Sequence, residues 1–384
     1  MLRITRYMKA LADPSSAPVH GTPPGPVVIW NLTRRCNLAC RHCYAFAADA
    51  QFTGEPETPV MLRLLEDLKA ASVPALILSG GEPLVHPDVH AIAARAKSMG
   101  FHVALSSNGT LLDAQAVDRC REVGYDYVGV SIDGLRATHD HFRRRDGAFD
   151  EALDGLRRAR DAGLPVGLRF TLTHETAADL PAVLGLMDSE GVDRFYLSHL
   201  NYAGRGQRRD RPELDSARRA LETLFMRCWA DIQAGRPRTY VTGNNDADAA
   251  YLLLWAHRVL GEAAVDTLLP MLRSWGGNAS GLHVANIDHR GGVHPDTMWD
   301  AYTLGNAYER PFGAIWADTS DPLMAGLKQQ PRPVTGRCAG CGFLAVCGGN
   351  TRSRAWQQTG DPWAEDPGCY LTDAEIGLDQ AVVA

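Results

Sequence analysis

Two rhythms of apolar residues alternate along the first 235 positions. Short continuous runs read as buried strands: Val27-Val-Ile-Trp-Asn-Leu-Thr33, Ala75-Leu-Ile-Leu-Ser79, His102-Val-Ala-Leu-Ser106, Tyr127-Val-Gly-Val-Ser-Ile132, Val166-Gly-Leu-Arg-Phe-Thr-Leu172 and Arg194-Phe-Tyr-Leu-Ser-His199. Between them, helical spacing predicts helices near 59–72, 88–99, 113–123, 149–162, 176–190 and 213–234. Alternation of this kind predicts an α/β fold with a parallel sheet and helices outside it. Six such units are too few for a closed eight-stranded barrel. Ahead of them, residues 1–26 form an extension that opens with a short amphipathic helix, expected to pack on the body. After residue 235 the beat stops. Residues 236–275 read as a helical bridge, and 276–384 as a small terminal domain rich in glycine and turns.

Composition narrows the picture. The formal net charge of −6 argues against general nucleic-acid binding. Only four of the 39 basic residues are lysine (Lys9, Lys69, Lys97, Lys328), so an arginine run such as Arg143-Arg-Arg145 reads as a solvated face before an anion site. No apolar run approaches a membrane span. The N-terminus lacks the apolar core and small-residue cleavage site of a secretory signal, so the cytoplasm is the expected compartment. Nine cysteines in such a protein suggest metal or redox roles before disulfides. Cys120 and Cys228 stand singly inside helical patterns and read as buried structural thiols.

The other seven cysteines fall in two groups. Cys36, Cys40 and Cys43 can ligate three irons of a cubane and leave the fourth open for chemistry. Zinc normally closes at four ligands and prefers paired spacings. Downstream, Ser79-Gly80-Gly81-Glu82-Pro83 ends the second strand. Its glycines let backbone approach a ligand closely, and Glu82 places a carboxylate beside it. Ligands of parallel β/α folds gather at the C-terminal ends of strands, where Ser107, Asn108, Ser131, Asp133, His199 and Asn201 also fall.

The CxxxCxxC run followed by Tyr44, with GGEP about forty residues later, resembles the radical SAM superfamily. That resemblance implies a partial (β/α)6 radical SAM barrel with a small C-terminal iron–sulfur domain. It also implies a 4Fe–4S cluster on Cys36, Cys40 and Cys43, whose open iron chelates S-adenosylmethionine (SAM). Gly80, Gly81 and Glu82 would then meet the methionine amino group. Tyr44 would lie by the adenine or pack as core. Ser107, Asn108, Ser131 and Asp133 would bond the ribose or serve only as turn residues.

The second group is Cys338, Cys341, Cys347 and, after a gap, Cys369. Four thiolates can saturate a 4Fe–4S cubane or close a zinc site, and spacing alone does not choose. With the first motif, the group resembles the SPASM and twitch extensions of the superfamily. It departs from the full SPASM pattern, because Thr351 stands where that run continues with cysteine. Asp296 in Gly291-Gly-Val-His-Pro-Asp296 also takes a cysteine's place, and reads as an exposed turn carboxylate before an oxygen ligand. No cysteine lies between 229 and 337. The resemblance thus implies one auxiliary cluster, and two 4Fe–4S clusters in all.

Several segments are similar to the haem d1 biosynthesis radical SAM family of the NirJ type: Met1-Leu-Arg-Ile4, the approach Gly21-Thr-Pro-Pro-Gly-Pro26 into the first strand, Leu76-Ile-Leu-Ser-Gly-Gly-Glu-Pro83, and the tail from Cys347-Gly-Gly-Asn-Thr-Arg352 through Thr359-Gly-Asp-Pro-Trp-Ala-Glu-Asp-Pro-Gly-Cys369. The family is implied to act on the propionates of an iron tetrapyrrole, 12,18-didecarboxysiroheme, with electrons from a donor such as flavodoxin or ferredoxin. A propionate C–H bond is not acidic enough for an ordinary base, and radical chemistry answers that difficulty. A substrate with several carboxylates calls for donors at the barrel mouth, and His199, Asn201, Arg205 and Arg208 are the candidates. The rival readings are a peptide-modifying SPASM enzyme, another radical SAM enzyme that modifies haem-precursor side chains, and a non-catalytic electron-transfer or scaffold protein. The first usually carries a peptide-recognition domain, for which the residues before the first strand are too few.

Overall fold

The computed structural model describes residues 1–18, 21 and 23–378; Val19, His20 and Thr22 of the N-terminal extension and the last six residues lie outside the described set. One sheet organises the chain. Its strands are β1 (Val27–Thr33), β2 (Ala75–Gly80), β3 (His102–Ser107), β4 (Tyr127–Ser131), β5 (Val166–Leu172), β6 (Arg194–His199), β7 (Thr239–Gly243), β8 (Val284–Ile287), β9 (Gly292–His294) and β10 (Gly305–Asn306). The order across the sheet is β10-β9-β8-β1-β2-β3-β4-β5-β6-β7. From β8 through β7 every neighbour is parallel, while β9 and β10 turn back antiparallel. The barrel stays open, since β7 and β8 are the two ends of the parallel run.

Period-two alternation sorts the side chains. Val28, Trp30 and Leu32 of β1, Leu76 and Leu78 of β2, and Phe195 and Leu197 of β6 are buried in the main core. The intervening residues Ile29, Ile77, Ser79, Arg169, Tyr196 and Ser198 line an inner cavity. Helices close the other face. Asp113 caps Ala114–Val123 by accepting from Ala116 N–H at 2.8 Å, and Gly124 ends that helix at φ 73°. The N-terminal helix Ile4–Ala12 buries Ile4, Tyr7 and Met8, and packs on β7 and the helix Leu214–Gln233 as its amphipathic pattern predicts. Just before it, Leu2 exchanges backbone hydrogen bonds with Thr242 at 2.8 and 2.9 Å, which covers part of the β7 edge.

Two parallel strands exceed the six that the sequence predicts, and both fall beyond residue 235. β7 is only five residues long and follows Arg236-Pro-Arg238; β8 is four residues in glycine-rich surroundings. β7 offers only Tyr240-Val241 as an apolar pair between two threonines, and β8 is too short to show a rhythm. Their pairing alters the expected division of the chain. β7 extends the sheet from within the presumed helical bridge, and β8 from the presumed terminal domain lies directly against β1, Val27 opposite Val284 and Trp30 opposite Ile287.

Candidate active site

The loop after β1 carries Cys36, Cys40 and Cys43, and all three line the inner cavity. The end of β2 packs tightly against this loop. Gly81 N–H donates to Thr33 O at 2.8 Å and Glu82 N–H to Arg35 O at 3.0 Å. A side chain at Gly81 would collide with the Arg35 carbonyl, and Gly80 sits at φ 119° against the Thr33 carbonyl. The two glycines therefore let the strand end and the cysteine loop touch backbone to backbone. Leu38 N–H approaches Cys36 Sγ at 3.4 Å and Ala47 N–H approaches Cys43 Sγ at 3.4 Å. Burial pushes the Cys36 thiol up to about 12 and raises Cys40 as well, so metal loading must release protons.

Gly80, Gly81, Ser107, Asn108, Ser131 and Tyr44 share the cavity wall with these cysteines, as expected for a SAM site. Tyr44 is half-buried at the cavity wall. It lines the cavity, yet its hydroxyl is held by Asn31 Oδ1 at 3.1 Å and Ser79 Oγ at 3.3 Å. Two expected contacts stand elsewhere. The Glu82 carboxylate is fully buried behind the wall, where it accepts from Asn108 N–H at 2.7 Å, Ser107 Oγ at 2.9 Å and Leu84 N–H at 3.2 Å. It braces the Ser107–Asn108 loop instead of facing the cavity. Asp133 is also fully buried. Its carboxylate pairs with Arg143 and accepts from Thr171 N–H at 2.6 Å, which leaves it no free face for a ribose.

Arg143 thus corrects the reading of Arg143–Arg145 as a solvated run. It ends the helix Arg136–Arg143 beneath the cysteine loop, nearly buried, with Nη1 3.5 Å from Cys40 Sγ. Burial alone would raise the Asp133 carboxyl, but the Arg143 guanidinium holds it below the usual carboxylate range. His42 was not singled out in the sequence. Its ring lines the cavity and stacks on Phe142 at 4.3 Å, burial lowers it to about 4, and its Nδ1 has no hydrogen-bond partner.

Burial raises the Glu82 carboxyl from 4.5 to about 7, against the pull of its hydrogen-bond donors. The folded apoprotein therefore favours the protonated acid. The stabilisation this gives is complete below pH 4.5 and is lost as pH rises through about 7. The difference is worth roughly 3 kcal/mol. Glu82→Gln should remove that part of the pH dependence, seen by comparing denaturation midpoints of native and variant apoprotein at pH 5 and pH 8. Parallel pH profiles for the two proteins would contradict it.

The opposite wall comes from β5, β6, β7 and the C-terminal segment. His199, Asn201, Arg169, Asn244, Asp246, Ser280, Asp296, Met298 and Thr351 line it, in an open cavity of about 1720 Å³ including its mouth. Of the four mouth candidates, His199 and Asn201 are here. Arg205 instead clamps the cysteine loop, donating to Cys40 O at 2.8 Å and Ala47 O at 2.9 Å, and Arg208 is exposed on a short 3₁₀ turn. Arg169 supplies a cationic group in their place, its guanidinium 4.8 Å over the Tyr196 ring. Asp296 is not an exposed turn carboxylate. It accepts from Met298 N–H at 2.7 Å and from Ser280 Oγ, it faces the cavity, and burial raises it. Burial raises Asp246 similarly.

Cys338, Cys341, Cys347 and Cys369 line one small second cavity with Phe343, Leu344, Leu371 and Ile376. Among the described residues no three His, Cys, Asp or Glu side chains close tightly enough to hold a single metal ion. Cys120 and Cys228 are fully buried in helices, as expected of structural thiols.

A parallel, open β/α barrel with three cysteines on the loop after β1 and a glycine pair at the end of β2 defines a class. A family model described as the Radical SAM superfamily matches residues 30–187. The chain belongs to this superfamily and is a radical SAM enzyme, a family that uses a 4Fe–4S cluster and SAM. Over 380 residues it is 51% identical to the pre-heme d1 synthase of Dinoroseobacter shibae, which covers 98% of this chain and 94% of that protein. It is 42% identical to the Fe-coproporphyrin III synthase of Methanosarcina barkeri, across 93% of this chain and 90% of the other. Among solved structures, SuiB of Streptococcus suis bound to its precursor peptide SuiA superposes with a TM-score of 0.72 at 17% identity, covering 91% of this chain and 76% of that one. That last likeness is one of fold. No helix among the described residues is long and apolar enough to cross a membrane.

Proposed function

We propose that this protein is a radical SAM enzyme of haem d1 biosynthesis, acting on the propionate side chains of 12,18-didecarboxysiroheme. The observation that carries the reading is similarity to pre-heme d1 synthase along the whole chain, at 51% identity. Bound together, the cluster and SAM supply a 5′-deoxyadenosyl radical able to take hydrogen from an unactivated carbon. Cys36, Cys40 and Cys43 would hold that cluster. Gly80, Gly81, Ser107, Asn108, Ser131, Tyr44 and the ring of His42 would hold SAM. Arg169 and Asn201 face the remaining space and suit a substrate bearing several carboxylates. The wall also carries apolar Ile29, Ile77 and Leu200 among its polar residues.

A second 4Fe–4S cluster on Cys338, Cys341, Cys347 and Cys369 completes the proposal. Four thiols share this cavity, enough to saturate a cubane, and the radical SAM core on the same chain favours iron over zinc. An electron donor such as flavodoxin or ferredoxin, and a cytoplasmic location, go with this chemistry.

The test is anaerobic incubation of reconstituted enzyme with SAM, a reductant and didecarboxysiroheme deuterated on its propionates, with mass analysis of products. Deuterium is expected in 5′-deoxyadenosine. Label retained in the tetrapyrrole, while a peptide substrate gives up its own hydrogen, would replace this reading with a peptide-modifying one.

A further inference from the structure

His199 closes β6 and faces the cavity, yet only 5% of it is exposed. Its Nε2 lies 3.1 Å from Asp248 Oδ2. Asp248 is fully buried, and its other oxygen accepts the Tyr370 hydroxyl at 2.6 Å. The Tyr370 ring lies nearly parallel to the imidazole, 15° apart with centroids at 6.2 Å. One nitrogen and one face of the ring are therefore fixed by groups from a different helix and from the C-terminal segment. The other nitrogen, Nδ1, has no hydrogen-bond partner among the described residues, and it is not sealed off in the interior. Because a carboxylate can only accept, the neutral ring carries its hydrogen on Nε2 and keeps a lone pair on Nδ1.

This is the arrangement of a metal-binding histidine: one nitrogen free, the other tied to a carboxylate that orients the ring and strengthens it as a donor. A structural histidine would normally have both nitrogens engaged or one packed away. Two carboxyls and a second histidine on the wall are less well placed. Asp296 is already engaged by Met298 N–H and Ser280 Oγ, and Asp246 by Asn278 Nδ2. His42 is stacked on Phe142 among the cluster cysteines, so a large ring centred there would occupy the SAM side. His199 stands at β6, across the cavity from the ends of β1 to β4. A disc centred on it presents its rim, where the side chains are, to that region.

We propose that His199 Nδ1 is the axial ligand to the iron of the tetrapyrrole substrate, with Asp248 and Tyr370 as its positioning residues. The assignment rests on the functional reading above. It implies that the enzyme discriminates an iron tetrapyrrole from the same macrocycle without iron.

The experiment uses cluster-loaded enzyme with ferric didecarboxysiroheme and no reductant, followed by optical and electron paramagnetic resonance spectroscopy. In protein grown with nitrogen-15 histidine, the bound iron should show a histidine nitrogen coupling. His199→Ala should lose that coupling, regain a nitrogen-ligated spectrum on adding imidazole, and bind the iron form about tenfold or more weakly, while the iron-free macrocycle binds both proteins alike. Asp248→Asn should weaken iron-form binding by about tenfold and shift the spectrum. Should His199→Ala lose its clusters, Asp248→Asn in the labelled protein decides: a spectrum and affinity unchanged from native overturn the assignment. Native enzyme that binds the iron form without histidine coupling overturns the assignment alone. Native enzyme that binds no iron tetrapyrrole overturns the functional reading, and this assignment with it.

Discussion

Alanine at Cys36, Cys40 and Cys43 together is expected to abolish reductive SAM cleavage and leave about half of the iron. The three thiols sit on one loop and share one cavity, and the remaining free cysteines lie elsewhere. Cys120 and Cys228 are sealed inside helices, while the other four face the second cavity. No nearby thiol can therefore substitute. Losing the metal also leaves a loop that holds one formally buried cation, Arg143, against Cys40. Colorimetric iron, the spectrum of the remaining cluster and chromatographic assay of 5′-deoxyadenosine check the expectation. Zinc in the remaining site, or iron enough for three clusters in the native protein, would contradict the division of the seven cysteines.

Arg143→Met is expected to destabilise the apoprotein by about 3–5 kcal/mol. The Arg143 and Asp133 side chains are 7% and 1% exposed, so the surviving carboxylate would stay buried without its counter-charge. Thr171 N–H alone cannot offset that desolvation. The pair also joins the end of β4 to the helix Arg136–Arg143 and, through Cys40, to the cysteine loop. Urea denaturation of the apoprotein gives the size of the loss. Adding Asp133→Asn should return a good part of it, since the orphaned charge is the main cost. A loss below about 1 kcal/mol would place the pair with ordinary surface bridges.

The parts of this protein that were legible in the sequence are those written in short strings. Cys36, Cys40 and Cys43, the glycine pair at Gly80 and Gly81, and the polar strand ends at Ser107, Asn108 and Ser131 all reach the same cavity. Strand rhythm was equally plain where a strand ran six or seven residues. What stayed hidden depends on distant partners. Arg143 reads as one of three exposed arginines until the helix turns its last residue under the cysteine loop, with Arg144 breaking away at φ 56°. Glu82 reads as a ligand beside its glycines, but a 3₁₀ turn at Pro83–Val85 directs its carboxylate inward to Ser107 and Asn108. Asp296 reads as a turn residue because Ser280 and the opposite wall arrive from other parts of the fold. Arg169 did leave a signal: it is the one charged residue of its strand, at an inner position.

The strand that leads into the cysteine loop has one neighbour made soon after it, β2, and another made much later, β8. Asn286 and Ile29 are joined across that seam by a 2.7 Å hydrogen bond although 257 residues separate them. Closing so long a loop costs chain entropy before the contact returns anything. On the ribosome, β1 therefore keeps an unpaired, apolar edge until nearly three-quarters of the chain has been made. Stable cluster insertion is expected to follow completion of the chain. A fragment ending before Val284 should aggregate through that edge, which sedimentation of truncated and full-length chains made side by side would reveal.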